Sequence, residues 1–153
     1  MPPSILVVDD NPAVRRAIRL LIERKTDWRI CGEAEDGLKA IDQAKALAPS
    51  IVILDLAMPV MNGLAAARQI SKISPGSILV MYTLFANEQL AKEAKAAGIQ
   101  AVVSKGNGED LLAFIRGSLP TAGRPAVKHL TDSRLSRSYA LVLNNSRGGG
   151  LVE

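Results

Sequence analysis

Four short apolar runs in this chain lead into side chains that can handle a hard cation and a phosphate-sized anion. Asp9-Asp10 follows Ile5-Leu6-Val7-Val8, and Asp55 follows Ile51-Val52-Ile53-Leu54. Thr83 follows the run closing at Tyr82, and Lys105 lies just past Ile99–Val103. Three carboxylates brought together repel one another and raise one another's pKa unless a cation joins them. Oxygen-only donors, with water completing the shell, suit Mg²⁺ better than a transition metal. A Lys ammonium and a Thr hydroxyl on the opposite side would contact an oxyanion. Together these are the parts of a phosphoryl-transfer site, where positioning and charge neutralisation do most of the catalysis. A central carboxylate with open access can be the nucleophile.

Each residue alone has a plainer reading. An Asp after a strand is commonly a turn residue or helix cap, and Asp10 or Asn11 is placed to cap the next helix. An isolated Thr is uninformative, and an isolated Lys is usually solvated. Asp55 resists this treatment, because an acid closing the most apolar run has no role in a core. The conjunction of all five residues is what favours chemistry.

They share a rim only if the runs before them are parallel strands. Ile5–Val8 is bounded by Pro3 and by Asp9-Asp10-Asn11-Pro12, and reads as a strand buried on both faces. Val14, Ile18, Leu21 and Ile22 then recur at helical spacing from Ala13 to Arg24, with Asn11 a candidate N-cap and Pro12 suited to the first helical position. The alternation continues: strand 28–34, helix 37–47, strand 51–54, helix 63–73, strand 77–82, helix 88–97 closed by Gly98, strand 99–103 and helix 109–118. Five strands alternating with five helices in under 120 residues predict an α/β, doubly wound, five-stranded parallel sheet with right-handed crossovers. In such a sheet, ligands sit outside the carboxyl ends of the strands, which is where all five residues fall.

Composition bounds the rest. The 153 residues are 48% hydrophobic but only 3% aromatic, so the core is expected to be Ile, Leu, Val and Ala. Residues 1–119 carry 14 Lys+Arg against 13 Asp+Glu, and residues 120–153 carry 5 against 2. The near-neutral body offers no electrostatic reason to expect nucleic acid as the main partner. The single cysteine, Cys31, excludes an internal disulfide and reads as a small buried hydrophobe. No apolar stretch reaches membrane-spanning length, and Met1-Pro2-Pro3-Ser4 does not open like a signal peptide, so a cytoplasmic protein without membrane contact is expected. Beyond Leu119, Pro120–Pro125 reads as a linker and Gly148-Gly149-Gly150 as punctuation. Between them Tyr139–Leu143 could form a short strand or a helical turn. The expected division is a globular domain at 4–119 and a basic tail at 120–153.

Four separated motifs in order make the chain resemble the receiver domains of two-component response regulators. Ile5–Asn11 resembles their opening strand, and Asp55-Leu56-Ala57-Met58-Pro59-Val60-Met61-Asn62-Gly63 their phosphoacceptor segment. Thr83 matches the switch hydroxyl, and Ser104-Lys105-Gly106 the lysine segment. The resemblance spans residues 4 to about 119. It implies a flavodoxin-like (βα)5 fold with strand order 2-1-3-4-5. It also implies phosphorylation of Asp55 by a histidine kinase or phosphotransfer protein. Mg²⁺ would be held by Asp9, Asp10, Asp55 and the Ala57 carbonyl, and the phosphoryl oxygens contacted by Thr83 and Lys105.

Departures from the family pattern modify these expectations. Ala57 and Phe85 stand at the two positions whose side chains influence water attack, and neither supplies a general base. A long-lived phospho-Asp55 is therefore expected. Val102 replaces the aromatic that usually rotates inward, and Gly106 replaces the Pro that often comes after the lysine. The family's output face of fourth helix, fifth strand and fifth helix would draw on Gln89, Lys92, Glu93, Lys95, Gln100 and Glu109. That face could serve a homodimer or simply be solvated.

Three functions compete. The first is a phosphorylation switch acting through protein contacts, in a chain without room for a full effector, or its unphosphorylated binding-module form. The second is a truncated DNA-binding regulator of the LuxR-type class, since Leu130-Thr131 with Arg134 faintly resembles the opening of that effector. DNA would be a partner only if such a domain is missing from this chain. The third is an aspartate-nucleophile phosphohydrolase, disfavoured because Ala57 occupies the place of a second catalytic acid. The chain is therefore expected to be an acceptor rather than a turnover enzyme.

Overall fold

The computed structural model describes residues 2–119 and the backbone of 141–142. Five parallel strands alternate with five helices: β1 (Ser4–Val8), α1 (Pro12–Lys25), β2 (Arg29–Ala34), α2 (Gly37–Leu47), β3 (Ile51–Leu54), α3 (Gly63–Ile73), β4 (Ile78–Thr83), α4 (Glu88–Ala96), β5 (Ala101–Ser104) and α5 (Gly108–Ser118). The parallel order is β2-β1-β3-β4-β5, as the family resemblance implied. A two-residue strand, β6 (Leu141–Val142), pairs antiparallel with β5 and adds a sixth strand at that edge. It realises the strand option for that stretch. The expected linker and Gly-rich end lie outside the described residues.

Alternation along each strand splits the core in two. Leu6 and Val8 with Val52 and Leu54 pack under Ala40 and Ala44 of α2, Ala66, Ala67 and Ile70 of α3, and Leu90 and Ala94 of α4. Ile5 and Val7 with Ile51 and Ile53 pack under Ile18 and Ile22 of α1 and Leu111, Leu112 and Ile115 of α5. Both faces of the central strands are therefore covered, which is why they read as continuous apolar runs. Each fully buried Ile, Leu or Val stabilises the fold by roughly 1.5–3 kcal/mol.

Local chemistry fixes the element ends. Asn11 caps α1, its Oδ1 accepting from the Ala13 amide at 2.9 Å with Pro12 in the first turn. Asp36, Asn62 and Asn87 cap α2, α3 and α4 through the Lys39, Ala65 and Leu90 amides. β5 begins two residues later than the apolar run predicts. Gly98, at φ +90°, donates to the Lys95 carbonyl (3.1 Å) and Ile99 to the Ala94 carbonyl (2.9 Å), a Schellman closure that takes Ile99 into the helix cap. Cys31 is half-buried at the margin of the core rather than inside it.

Candidate functional site

The strand order reverses between β1 and β3: β2 lies beyond β1, and β4 and β5 lie beyond β3. This switch point opens a crevice at the carboxyl ends, and register fills it. Val8 pairs with Leu54, so Asp9 and Asp55 leave neighbouring strands at the same level; Thr83 pairs with Ser104, which brings Lys105 alongside. Oxygens of Asp9, Asp10 and Asp55 lie within 4.8 Å of one another. Asp9 and Asp55 are buried and Asp10 is exposed. Lys105 Nζ reaches both buried acids, at 2.8 Å from Asp9 Oδ2 and 3.1 Å from Asp55 Oδ2.

Backbone amides hold the remaining oxygens. Asn11 N–H donates to Asp9 Oδ1 (2.9 Å) and Leu56 N–H to Asp55 Oδ1 (2.8 Å). Burial pushes the Asp55 carboxyl above its ordinary range; the Lys105 bond and charge pull it back without winning, Asp9 adds repulsion and the Leu56 amide opposes it. The ammonium that Asp55 shares with Asp9 does not offset the desolvation of Asp55. Burial disfavours the Lys105 charge, but bonds and attraction to Asp9 and Asp55 outweigh it and raise its pKa. Lys105 is thus a fixed cation, while Asp55 keeps an unmet demand for positive charge. A hard donor set of three convergent carboxylates, one open to solvent, fits a divalent ion such as Mg²⁺.

The segment after β3 is shaped to hold Asp55. Gly63 opens α3 directly against it: its amide bonds the Leu56 carbonyl at 2.8 Å, and an added Cβ would overlap the Asp55 carbonyl oxygen. Between them Met61 N–H closes a tight turn onto the Pro59 carbonyl (2.7 Å), with Val60 at φ +69°. A β-branched residue there is strained by on the order of 1–3 kcal/mol.

The other expected residues are placed less directly. Thr83 is fully buried, and its hydroxyl oxygen accepts from the Phe85 amide at 3.2 Å. Ala57 lies exposed in the loop after Asp55. Phe85 is 55% exposed in the loop after β4. Val102 is buried in β5, opposite Met81. Glu109, expected on the output face, instead pairs with Lys25 of α1.

Two features were not anticipated. The buried Tyr82 accepts a hydrogen bond from the Gly106 amide at 3.0 Å, tying β4 to the loop after Lys105. The only sequence signal was an aromatic next to Thr83 in an aromatic-poor chain. The second is a groove of about 770 Å³ between α1 and the loop into α5. Val14, Ile18 and Leu21 line it on one side, and Tyr82, Lys105 and Asp110 on the other.

An α/β protein with an acid pocket at the switch point and a lysine bridging two of its acids belongs to the class of doubly wound domains whose site lies at the carboxyl rim of the sheet. Comparison with known proteins narrows this: the response regulator receiver domain matches residues 5–116, and the chain belongs to that family. Chemotaxis protein CheY of Halobacterium salinarum is 30% identical over 105 residues, covering 69% of this chain and 86% of that protein. A protein-glutamate methylesterase/protein-glutamine glutaminase of Methanococcoides burtonii is 32% identical over 144 residues, 94% of this chain. The chain spans only 22–47% of the length of the methylesterases it matches. Among solved structures, the response regulator domain of Thermotoga maritima CheB superposes with a TM-score of 0.71 at 27% identity, covering 76% of this chain and 95% of that one. A LuxR-family two-component response regulator from Aurantimonas sp. SI85-9A1 gives 0.75 at 28%, covering 91% and 96%.

Proposed function

We propose that this receiver takes a phosphoryl group onto Asp55 from the phosphohistidine of a kinase or phosphotransfer protein and changes its protein contacts in response. The observation that carries this reading is Lys105, bridging the carboxylates of Asp9 and Asp55 at the reversal of the sheet. An Asp55 oxygen attacks phosphorus in line as the P–N bond to the donor imidazole breaks, and the imidazole leaves with the bonding pair. Lys105 then exchanges Asp55 for a phosphoryl oxygen, and the Thr83 hydroxyl supplies a second contact. Asp9, Asp10, Asp55 and the Ala57 carbonyl would hold Mg²⁺, which when bound neutralises charge on the phosphoryl oxygens.

The surroundings support a protein donor. Val60, Leu84 and Phe85 are 74%, 71% and 55% exposed in the two loops flanking Asp55, a surface better suited to an apolar partner than to water. Neither Ala57 nor Phe85 can activate water, so the acyl phosphate persists and the protein acts as an acceptor rather than a turnover enzyme. Residues 4–119 are the receiver and 120–153 a basic extension. Among the described residues no helix is long and apolar enough to cross a membrane, in keeping with a cytoplasmic phosphoryl donor. The likeness to LuxR-family regulators, among them a DNA-binding response regulator of Staphylococcus aureus, favours, as a second reading, a receiver whose output is an attached DNA-binding domain.

Acetyl phosphate with Mg²⁺ tests the acceptor, read by intact mass on wild type and Asp55→Ala. One added phosphoryl on wild type alone is expected, with loss over minutes to hours once the donor is removed. Labelling that survives the substitution would assign another carboxylate. Decay within seconds would overturn the reading that Ala57 and Phe85, by failing to activate water, leave the acyl phosphate long-lived. No labelling where a control receiver reacts would leave an unphosphorylated binding module.

A further inference from the structure

Every polar group of Asp9 is held. Its amide donates to the Ala34 carbonyl at 3.1 Å, Oδ1 accepts from Asn11 N–H, and Oδ2 meets Lys105. The fourth hold comes from Arg15 in the first turns of α1, whose Nη1 donates to the Asp9 carbonyl at 2.6 Å. The same guanidinium turns its Nε toward Glu33 Oε1 at 3.3 Å. Glu33 lies on β2 opposite Val7, and Arg19, one helical turn beyond Arg15, pairs with its other oxygen. The Arg15 side chain is 18% exposed, so this is a largely desolvated clamp from α1 across the end of β1 to β2. A planar fork presents separate N–H groups to the two partners in a fixed geometry, whereas a lysine would have to serve both from one nitrogen.

The peptide gripped by Arg15 is the one that leads into Asp10. Among the described residues the exposed Asp10 carboxylate makes no hydrogen bond or ion pair, so its own side chain does not set its direction. The backbone before it does, and Arg15 is the group that fixes that carbonyl. We infer that Arg15, anchored on Glu33, is a positioning residue for the acid pocket: by holding the Asp9 carbonyl it aims the Asp10 carboxylate and thereby sets the affinity of the pocket for a divalent cation. This rests on the reading of Asp9, Asp10 and Asp55 as a cation site.

The alternative role has the opposite sign. A cation beside three carboxylates repels a second one, so if Arg15 acted only through its charge, removing it would tighten Mg²⁺ binding. If it positions, removing it weakens binding although a repelling charge has gone. Outer partners of metal sites carry effects of roughly 10–100-fold in affinity.

The experiment is a Mg²⁺ titration of the full chain by calorimetry, with amide shifts of Asp9, Asp10, Asn11 and Leu56 as a second readout. Wild type, Arg15→Met, Arg15→Lys and Glu33→Gln are compared well below their unfolding temperatures. Arg15→Met and Arg15→Lys are expected to bind roughly ten-fold or more weakly, and Glu33→Gln weakly by a smaller factor, since the grip on Asp9 survives without its anchor. Arg15→Lys is decisive, because it keeps the charge and removes only the fork, and it and Glu33→Gln carry the test should Arg15→Met fail to fold. A folded Arg15→Lys with unchanged or tighter Mg²⁺ binding would overturn the inference while leaving the cation site intact. Wild type that binds no Mg²⁺ would instead overturn the cation site, and the inference with it.

Discussion

The two ends of the sheet are built from opposite materials. At the amino end, buried polarity is neutral and self-satisfied: Ser77 donates to the Pro49 carbonyl at 2.5 Å and shares a 2.7 Å bond with Ser74, while the Ser4 and Ser50 side chains each accept from the other's amide. At the carboxyl end, buried polarity includes charge beside the neutral Thr83: Asp9 and Asp55 face one ammonium, Val60 is held at positive φ, and Leu84 and Phe85 stand in solvent. Neutral hydrogen bonds close one end at small net gain. At the other, desolvated charge and backbone strain are retained at the expense of stability, which is the mark of a functional rim. Both ends lie on the same strands, so the difference resides in the loop residues at either end rather than in the strands themselves.

Substitutions at each end should separate stability from chemistry. The largest effect is expected from Gly63→Ala. Its new methyl has nowhere to go but into the Asp55 carbonyl, so the start of α3 must shift. A loss of about 2–3 kcal/mol by urea unfolding, with Asp55 labelling slowed as well, would show that the rim is positioned by backbone packing. Retained stability would mean that the loop between Leu56 and Gly63 is more yielding than the structure shows.

Ser77→Ala at the opposite end should cost about 1–2 kcal/mol, because the Pro49 carbonyl and the Ser74 hydroxyl each lose a partner, and should leave the labelling rate unchanged. A matching fall in labelling would erase the division between the two ends.

Asp55→Asn is the smallest in energy and the sharpest in sign. A carboxyl whose folded-state pKa is raised stabilises the fold below its unfolded pKa, and that contribution is lost as pH rises through the folded value. At neutral pH, ionised Asp55 therefore burdens the wild type, and Asp55→Asn should melt higher while accepting no phosphoryl group. The advantage should shrink as pH falls from the raised folded-state pKa toward the ordinary carboxylate range, and be gone below that range. A variant less stable than wild type at pH 7 would show that the Lys105 pairing outweighs burial.

Much of this fold was legible in residue order. Short apolar runs with helical stretches between them leave one economical arrangement, because strands buried on both faces need helices on both sides. The acids and Lys105 could be assigned to one rim for the same reason. Asn11 declared itself as a cap by standing before a proline at the first helical position. Where the reading slipped, a local pattern had two uses: Ile99 is apolar enough for a strand, yet its amide closes α4.

Periodicity carries no information about which strand lies beside which, and the family resemblance supplied the order that the sheet then showed. Contacts between distant residues were out of reach altogether. That Lys105 spans Asp9 and Asp55, that Tyr82 ties down Gly106 and that Arg15 grips the Asp9 carbonyl while leaning on Glu33 depend on register and helix packing. Element type is a local property of side-chain spacing and backbone preference, so residue order alone could settle it. Site geometry is a sum of long-range placements, and only the packed sheet and its covering helices decide those to the ångström at which charges and hydrogen bonds act.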